Sequence, residues 1–157
     1  MNTNFIITAL ENNFNYLFDL SEKELAAKGA KKMIVDEKPG YPCRVSLADA
    51  EIGEEVVLFP FQHLKTNSPF QSSGPIFVRK NAKTSTLEVN IIPEFLLHRF
   101  LSIRAYDTNG MMVETGTCQG TELKDKLQSY FKNINVSYIQ IHNAGPGCYD
   151  CQVNRID

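Results

Sequence analysis

Residues 100–118, FLSIRAYDTNGMMVETGTC, constrain the fold more than any other stretch. Apolar and polar residues alternate over 100–107, and a second strand-like run follows at 111–118. Between them stands Asn109-Gly110, a pair that tolerates the positive φ of a tight hairpin turn. The stretch therefore predicts an antiparallel hairpin. Leu101, Ile103 and Ala105 share one face of its first strand, and Arg104 with Tyr106 share the other.

Other strand signals come mostly in succession. They fall at residues 5–9, 32–35, 43–47, 54–62 and 74–80, and again in VSYIQIH at 136–142. Pro60 cannot donate to a ladder, so its strand is expected to be an edge or to bulge there. Helical signals are fewer. Ser21 and Glu24 make a capping box with Gly29 as the stop, Pro93-Glu94 opens a short helix, and Leu123, Leu127, Tyr130, Phe131 and Ile134 recur at helical spacing behind Thr121. A loosely helical stretch carries Phe14, Leu17 and Phe18. Strands in sequence with occasional helices predict an α+β fold. We expect one domain over 1–157, built on a largely antiparallel mixed sheet with a few short helices.

At 157 residues the chain has the size of one ordinary domain. A formal net charge of −2, with no basic block, argues against a nucleic-acid partner. No apolar run approaches the roughly 20 residues of a membrane span. The first residues, MNTNFIITALENN, lack the basic start of a secretory signal. The expectation is a cytoplasmic protein with no membrane partner, whose four cysteines (43, 118, 148 and 151) are reduced thiols.

Chemistry concentrates in IQIHNAGPGCYDC, residues 139–151. His142, Asn143 and Cys148 surround a glycine-proline turn, and Cys43 stands far upstream beside Arg44. A cysteine becomes a nucleophile when a neighbouring imidazole stabilises its thiolate. Cys43 or Cys148 with His142 is thus one candidate catalytic set, against the alternative that Cys43 is a small buried apolar residue. The Cys148-x-x-Cys151 pair is followed by the extended QVNRI rather than a helix, which disfavours a redox motif. A zinc site would need two more ligands from Cys43, His63, Cys118 and His142, and no second paired motif exists. No metal and no cofactor are expected.

Anion binding is the other candidate. Arg44, Arg79 and Arg104 fall on predicted strands, where guanidinium groups need pairing or exposure. Alternation puts His142 on one face with Tyr138 and Gln140, and Ile139 with Ile141 on the other. A sheet face carrying Arg44, Arg79, Arg104, Tyr106 and His142, with Asn143 beside them, can grip a carboxylate or phosphate. The plainer alternative is a solvated face with ordinary ion pairs to acids such as Asp107 and Glu114. The functional expectations are therefore a small anionic-ligand binding module, a thiol-dependent enzyme, or a structural protein acting through a homodimer.

The blocks DEKPGYPCRVSLADAEIGEEVVL (36–58), SPFQSSGPIFVR (68–79), LSIRAYDTNGMMVE (101–114) and YIQIHNAGPGCY (138–149) resemble a bacterial family known only as the domain of unknown function numbered 1203. The resemblance implies no activity. It marks Cys43, Arg44, Arg79, Arg104, Tyr106, Asp107, His142, Asn143 and Cys148 as motif positions. A basic pair often stands in that family where this chain has Gly145-Pro146, and a tyrosine is expected before His63 where Gln62 stands. Cys151 has no fixed place in the pattern.

Overall fold

A computed structural model describes residues 3–156. Its strands are β1 (Phe5–Thr8), β2 (Lys31–Ile34), β3 (Pro42–Cys43), β4 (Ala48–Asp49), β5 (Glu55–Leu64), β6 (Ser72–Arg79), β7 (Phe100–Tyr106), β8 (Met112–Gln119), β9 (Tyr138–Asn143) and β10 (Tyr149–Arg155). Its α-helices are α1 (Glu22–Ala27), α2 (Glu94–Leu97) and α3 (Leu123–Tyr130), with 3-10 turns at Asn15–Asp19 and Gly120–Glu122. Strands dominate over a few short helices, an arrangement compatible with the α+β class. No described helix is long and apolar enough to cross a membrane.

The expected mixed sheet is instead two five-stranded sheets, ordered β1-β10-β9-β7-β8 and β2-β5-β6-β3-β4. Strands β2 to β6 hydrogen-bond only among themselves, while β1 crosses to β10 and joins β7 to β10, so no strand of one ladder extends the edge of the other. Every pairing in the first sheet is antiparallel. Parallel geometry in the second is confined to a single bridge, Cys43 opposite Phe77.

The β7–β8 hairpin forms at the expected place. Its loop is longer than a two-residue primed turn. Gly110 N–H donates to the Asp107 carbonyl at 3.1 Å and Asp107 N–H to the Met111 carbonyl at 2.9 Å, with a register shift next to Tyr106. Only Gly110 takes positive φ in this turn. The Asp107 carboxylate shapes the rest by accepting from the N–H groups of Asn109 and Met111. Ser21 and Glu24 make the expected reciprocal cap on α1, and Gly29, at φ 70, follows it.

Three local expectations change. Residues 44–47 are the turn of a minute β3–β4 hairpin rather than a strand, so Arg44 lies on a turn. Leu47 there adopts positive φ. Ile134 falls beyond the end of α3 and is 78 % exposed, outside the apolar stripe. Pro60 is inside β5, opposite Pro75, but past the last β2 pair at Leu58, so its missing N–H is not needed there.

The first sheet buries Leu101, Ile103, Ala105, Ile139, Ile141 and Val153 under Leu123, Leu127 and Phe131 of the α3 segment and Phe95 and Leu96 of α2. A second core packs Leu17, Phe18 and Leu25 on Val57, Phe59, Ile76 and Val78. Tyr149 from the first sheet belongs to that second core. The other face of the first sheet is polar, and β5 lies across part of it.

Candidate functional site

Alternation along β9 sends Ile139 and Ile141 into the apolar core and Gln140 with His142 to the opposite face. Both polar side chains are completely buried. Register sets Ser102 against His142, Arg104 against Gln140 and Tyr106 against Tyr138 on β7. On β8, Thr115 faces Arg104 and Thr117 faces Ser102. The result is a polar sheet face, closed at its β9–β10 end and open towards β8, where Thr115 and Thr117 are exposed.

The closed end is a ring cluster. His63, from the irregular stretch of β5 between Phe61 and Leu64, stacks on Tyr149 with centroids 5.3 Å apart at 11°. It also meets His142 edge-on at 4.9 Å. Tyr106 stacks on Tyr138 at 5.4 Å. His142 Nδ1 lies 2.9 Å from the Gly147 carbonyl. A carbonyl only accepts, so Nδ1 carries the hydrogen and Nε2 presents a lone pair. That Nε2 is buried with no hydrogen-bond partner among the described residues. Burial, with the nearby charge of Arg104, lowers the pKa of His142 from the ordinary 6.5 to about 3. Burial also lowers that of His63, against the hydrogen bond to Gln140. Both rings are neutral at physiological pH.

Behind the rings runs a buried charged network. Arg44, 1 % exposed, donates from Nε to the Tyr149 carbonyl at 2.7 Å and from Nη1 to the Pro42 carbonyl. Its Nη2 lies 3.4 Å from Asp150 Oδ1. Asp150 is the extra residue of a register shift between Tyr149 and Cys151, which turns its carboxyl inward. Burial pushes Asp150 up to about 6, against the pull of Arg44. Asn143 Nδ2 donates to Asp150 Oδ1 at 3.3 Å.

The two buried titrating groups give the fold opposed pH dependences. His142 is depressed when folded, so its contribution is complete above pH 6.5 and is lost as pH falls towards 3. Asp150 is raised, so its contribution is complete below 3.8 and is lost as pH rises through about 6. Replacing His142 with Asn is expected to remove the first dependence, worth about 3 kcal/mol between pH 7 and 4. Thermal unfolding across that range checks it: the variant should lose markedly less stability on acidification than the parent. Equal losses would show that His142 is not held neutral by the fold.

The cysteines do not form the catalytic set considered from sequence. Cys43 is fully buried in the second core, and its Sγ accepts from the backbone N–H groups of Ser46 at 3.4 Å and Arg79 at 3.3 Å. No hydrogen bond joins it to His142. Cys148 is half-buried, and its Sγ receives Asn143 Nδ2 at 3.8 Å. Asn143 and His142 are consecutive on β9 and point to opposite faces, so the Cys148 contact is on the side away from the imidazole. Cys151 is buried in the apolar core, and burial pushes its thiol well above the usual range. Among the described residues, no group of three or more His, Cys, Asp or Glu could hold a metal ion.

The three arginines also do not share one pocket. Arg44 is taken by Asp150 and two carbonyls, for it must be neutralised to be buried at all. Arg79, on the second sheet, grips Glu54 with Nε to Oε2 at 2.6 Å and Nη2 to Oε1, which holds Glu54 below the usual carboxylate range. Arg104 lies on the first sheet, half-buried, next to His142. His63, Ser72, Gln140 and Asp150 stand outside the site residues expected from sequence, although His63 was among the possible zinc ligands and Gln140 shares a face with His142. Register shifts place His63 and Asp150, and alternation cannot foresee these.

A family profile described as "Protein of unknown function (DUF1203)" matches residues 40–155. No curated protein and no solved structure matches the chain. The matched span holds β3 through β10, and with them Arg44, His63, Arg104, His142 and Asp150. The chain belongs to the family described as Protein of unknown function (DUF1203).

Proposed function

We propose that the protein is a binding module for a small anionic ligand, held on the polar face of the first sheet by Arg104. One observation carries the reading. Of the five arginines in the sequence, four have partners. Arg44, Arg79 and Arg99 face Asp150, Glu54 and Asp49, and Arg155 donates to the carbonyls of Phe131, Asn133 and Val136. The Arg104 side chain has neither a hydrogen bond nor an ion pair among the described residues, yet the residue is half-buried.

A partly desolvated guanidinium without a counter-charge is unfavourable, and its planar fork suits a carboxylate or phosphate. Ser102, Thr115 and Thr117 are the hydroxyl neighbours on the open side. His142 Nε2 adds a buried acceptor for a ligand O–H or N–H. A ligand carrying an anionic group and a neighbouring donor would satisfy both.

Thermal unfolding in the presence of a panel of carboxylates and phosphate esters tests this. At a concentration of 100 Kd, a true ligand stabilises by about 2.7 kcal/mol. Arg104→Ala should abolish that shift while leaving unliganded stability unchanged or slightly raised, since an unpaired charge is removed. A variant that responds to the same anions as fully as the parent would refute the assignment.

A further inference from the structure

Beside Arg104 lies a second arrangement that anion binding does not require. Ser72 Oγ lies 3.1 Å from His63 Nε2, and His63 Nδ1 lies 2.9 Å from Gln140 Oε1. The proton positions follow from one further contact. Gln140 Nε2 donates to the His63 carbonyl at 2.6 Å. Because that carbonyl only accepts, the amide is oriented with Oε1 towards the ring. Nδ1 must then carry the hydrogen, Nε2 holds the lone pair, and the Ser72 hydroxyl donates to it. Gln140 is fully buried and cannot readily rotate away. His63 is also fixed by its stack on Tyr149.

We infer that Ser72, His63 and Gln140 form a nucleophile, base and orienting group for acyl transfer. A hydroxyl within hydrogen-bond reach of an imidazole that a third group holds in the correct tautomer is the arrangement such chemistry needs. The irregular stretch of β5 turns His63 towards Ser72 at the start of β6, and such irregularities recur beside active sites. Ser72 and His63 are half-buried, so a substrate can reach them. A cleft of about 480 Å³ lined by Gln62, His63, Lys65, Tyr138 and Gln152 opens alongside.

In the reaction, Ser72 Oγ attacks the carbonyl carbon of an ester and its proton passes to His63 Nε2. The carbon–oxygen bond to the leaving group breaks, and the departing alkoxide takes that proton. Water then attacks the Ser72 ester, again giving a proton to His63. The proton returns to Ser72 as the carboxylic acid leaves. Gln140 touches no reacting atom and is a positioning residue. Arg104 stands opposite Gln140 in the register of β7 and β9, on the face that carries the His63 contact, which makes an ester with a nearby anionic group the substrate class. This last point rests on the proposed role of Arg104, whereas the serine–histidine pair does not.

The experiment treats the intact protein with an uncharged fluorophosphonate ester and maps the adduct by mass spectrometry. A single adduct is expected on Ser72, absent in Ser72→Ala and slowed at least 100-fold in His63→Asn. Neighbouring Ser73 serves as the internal control. The rate should be flat above about pH 6.5, the ordinary histidine value, because His63 is already neutral there. In Gln140→Leu the low-pH limb of that profile should move, which loss of packing alone would not cause. No adduct on Ser72 in the folded protein, or equal labelling of Ser72 in the parent and in His63→Asn, overturns the inference. Arg104→Ala is then compared on neutral and carboxylate-bearing nitrophenyl esters. Loss of preference for the charged ester, read as the ratio of kcat/KM on the two esters, supports the anion role of Arg104. An unchanged preference refutes that role and leaves the serine–histidine pair standing.

Discussion

Replacing Arg44 with Ala is expected to cost about 3–5 kcal/mol of folding stability, the usual penalty for removing one partner of a buried ion pair. The side chain is 1 % exposed. Its loss leaves the Asp150 carboxyl without its cation and two carbonyls, of Pro42 and Tyr149, without their donor. None of these can turn to water. Asp150→Asn is the informative companion, because it keeps the shape and removes a carboxyl that burial already disfavours. It too should be destabilising, since it leaves the Arg44 guanidinium buried without its counter-charge, and a loss smaller than that of Arg44→Ala would measure what the two carbonyl contacts of Arg44 add. Urea unfolding of both variants at pH 7, with midpoint and slope compared, decides the matter. If Arg44→Ala fell within 1 kcal/mol of the parent, the network would not be holding the sheets together.

Gly120→Ala should be at least as damaging for a purely steric reason. A methyl group there would sit 1.8 Å from the Leu96 carbonyl oxygen and 2.7 Å from its carbon, with Leu97 at 2.8 Å. All three atoms are backbone, so no side chain can swing aside. Gly120 N–H also donates to the Arg99 carbonyl at 2.8 Å, which fixes the approach of the β8 end to α2. Forced separation would disturb the Asp49–Arg99 ion pair next to it. We expect more than 3 kcal/mol, or failure to fold. Gly145→Ala is the control, since nothing lies within 4 Å of the added methyl. A stable, soluble Gly120→Ala variant with parental unfolding behaviour would show that α2 is free to shift.

How far the sequence foretold this molecule can be judged from a few positions. The β7–β8 hairpin was legible because alternation and Asn109-Gly110 are local signals, and local signals also marked the α1 cap. The face shared by Gln140 and His142 followed from alternation alone. Its burial did not, because what covers that face is β5, whose His63 stands 77 positions from Gln140. The reading of Arg44 as a strand residue failed on the same count. Its turn is held by Tyr149 and Asp150, which no neighbouring residue announces. The separate sheets were hidden because nothing in a strand pattern states which strands will share a ladder.

The pairing of β1 with β10, Phe5 opposite Arg155, joins segments from the two extremes of the described chain. During synthesis, at roughly 5–20 residues per second, β1 is made well before β10 and has no partner until β10 emerges. β9 likewise lacks β10 on one side until then. The first sheet thus closes only once β10 has emerged, so the ribosome-bound chain carries unpaired strand edges for several seconds. A chain ending at the β9–β10 turn would lose its final strand and leave β1 unpaired as well. Cells producing this protein should therefore clear early-terminated products rather than accumulate them as partly folded species.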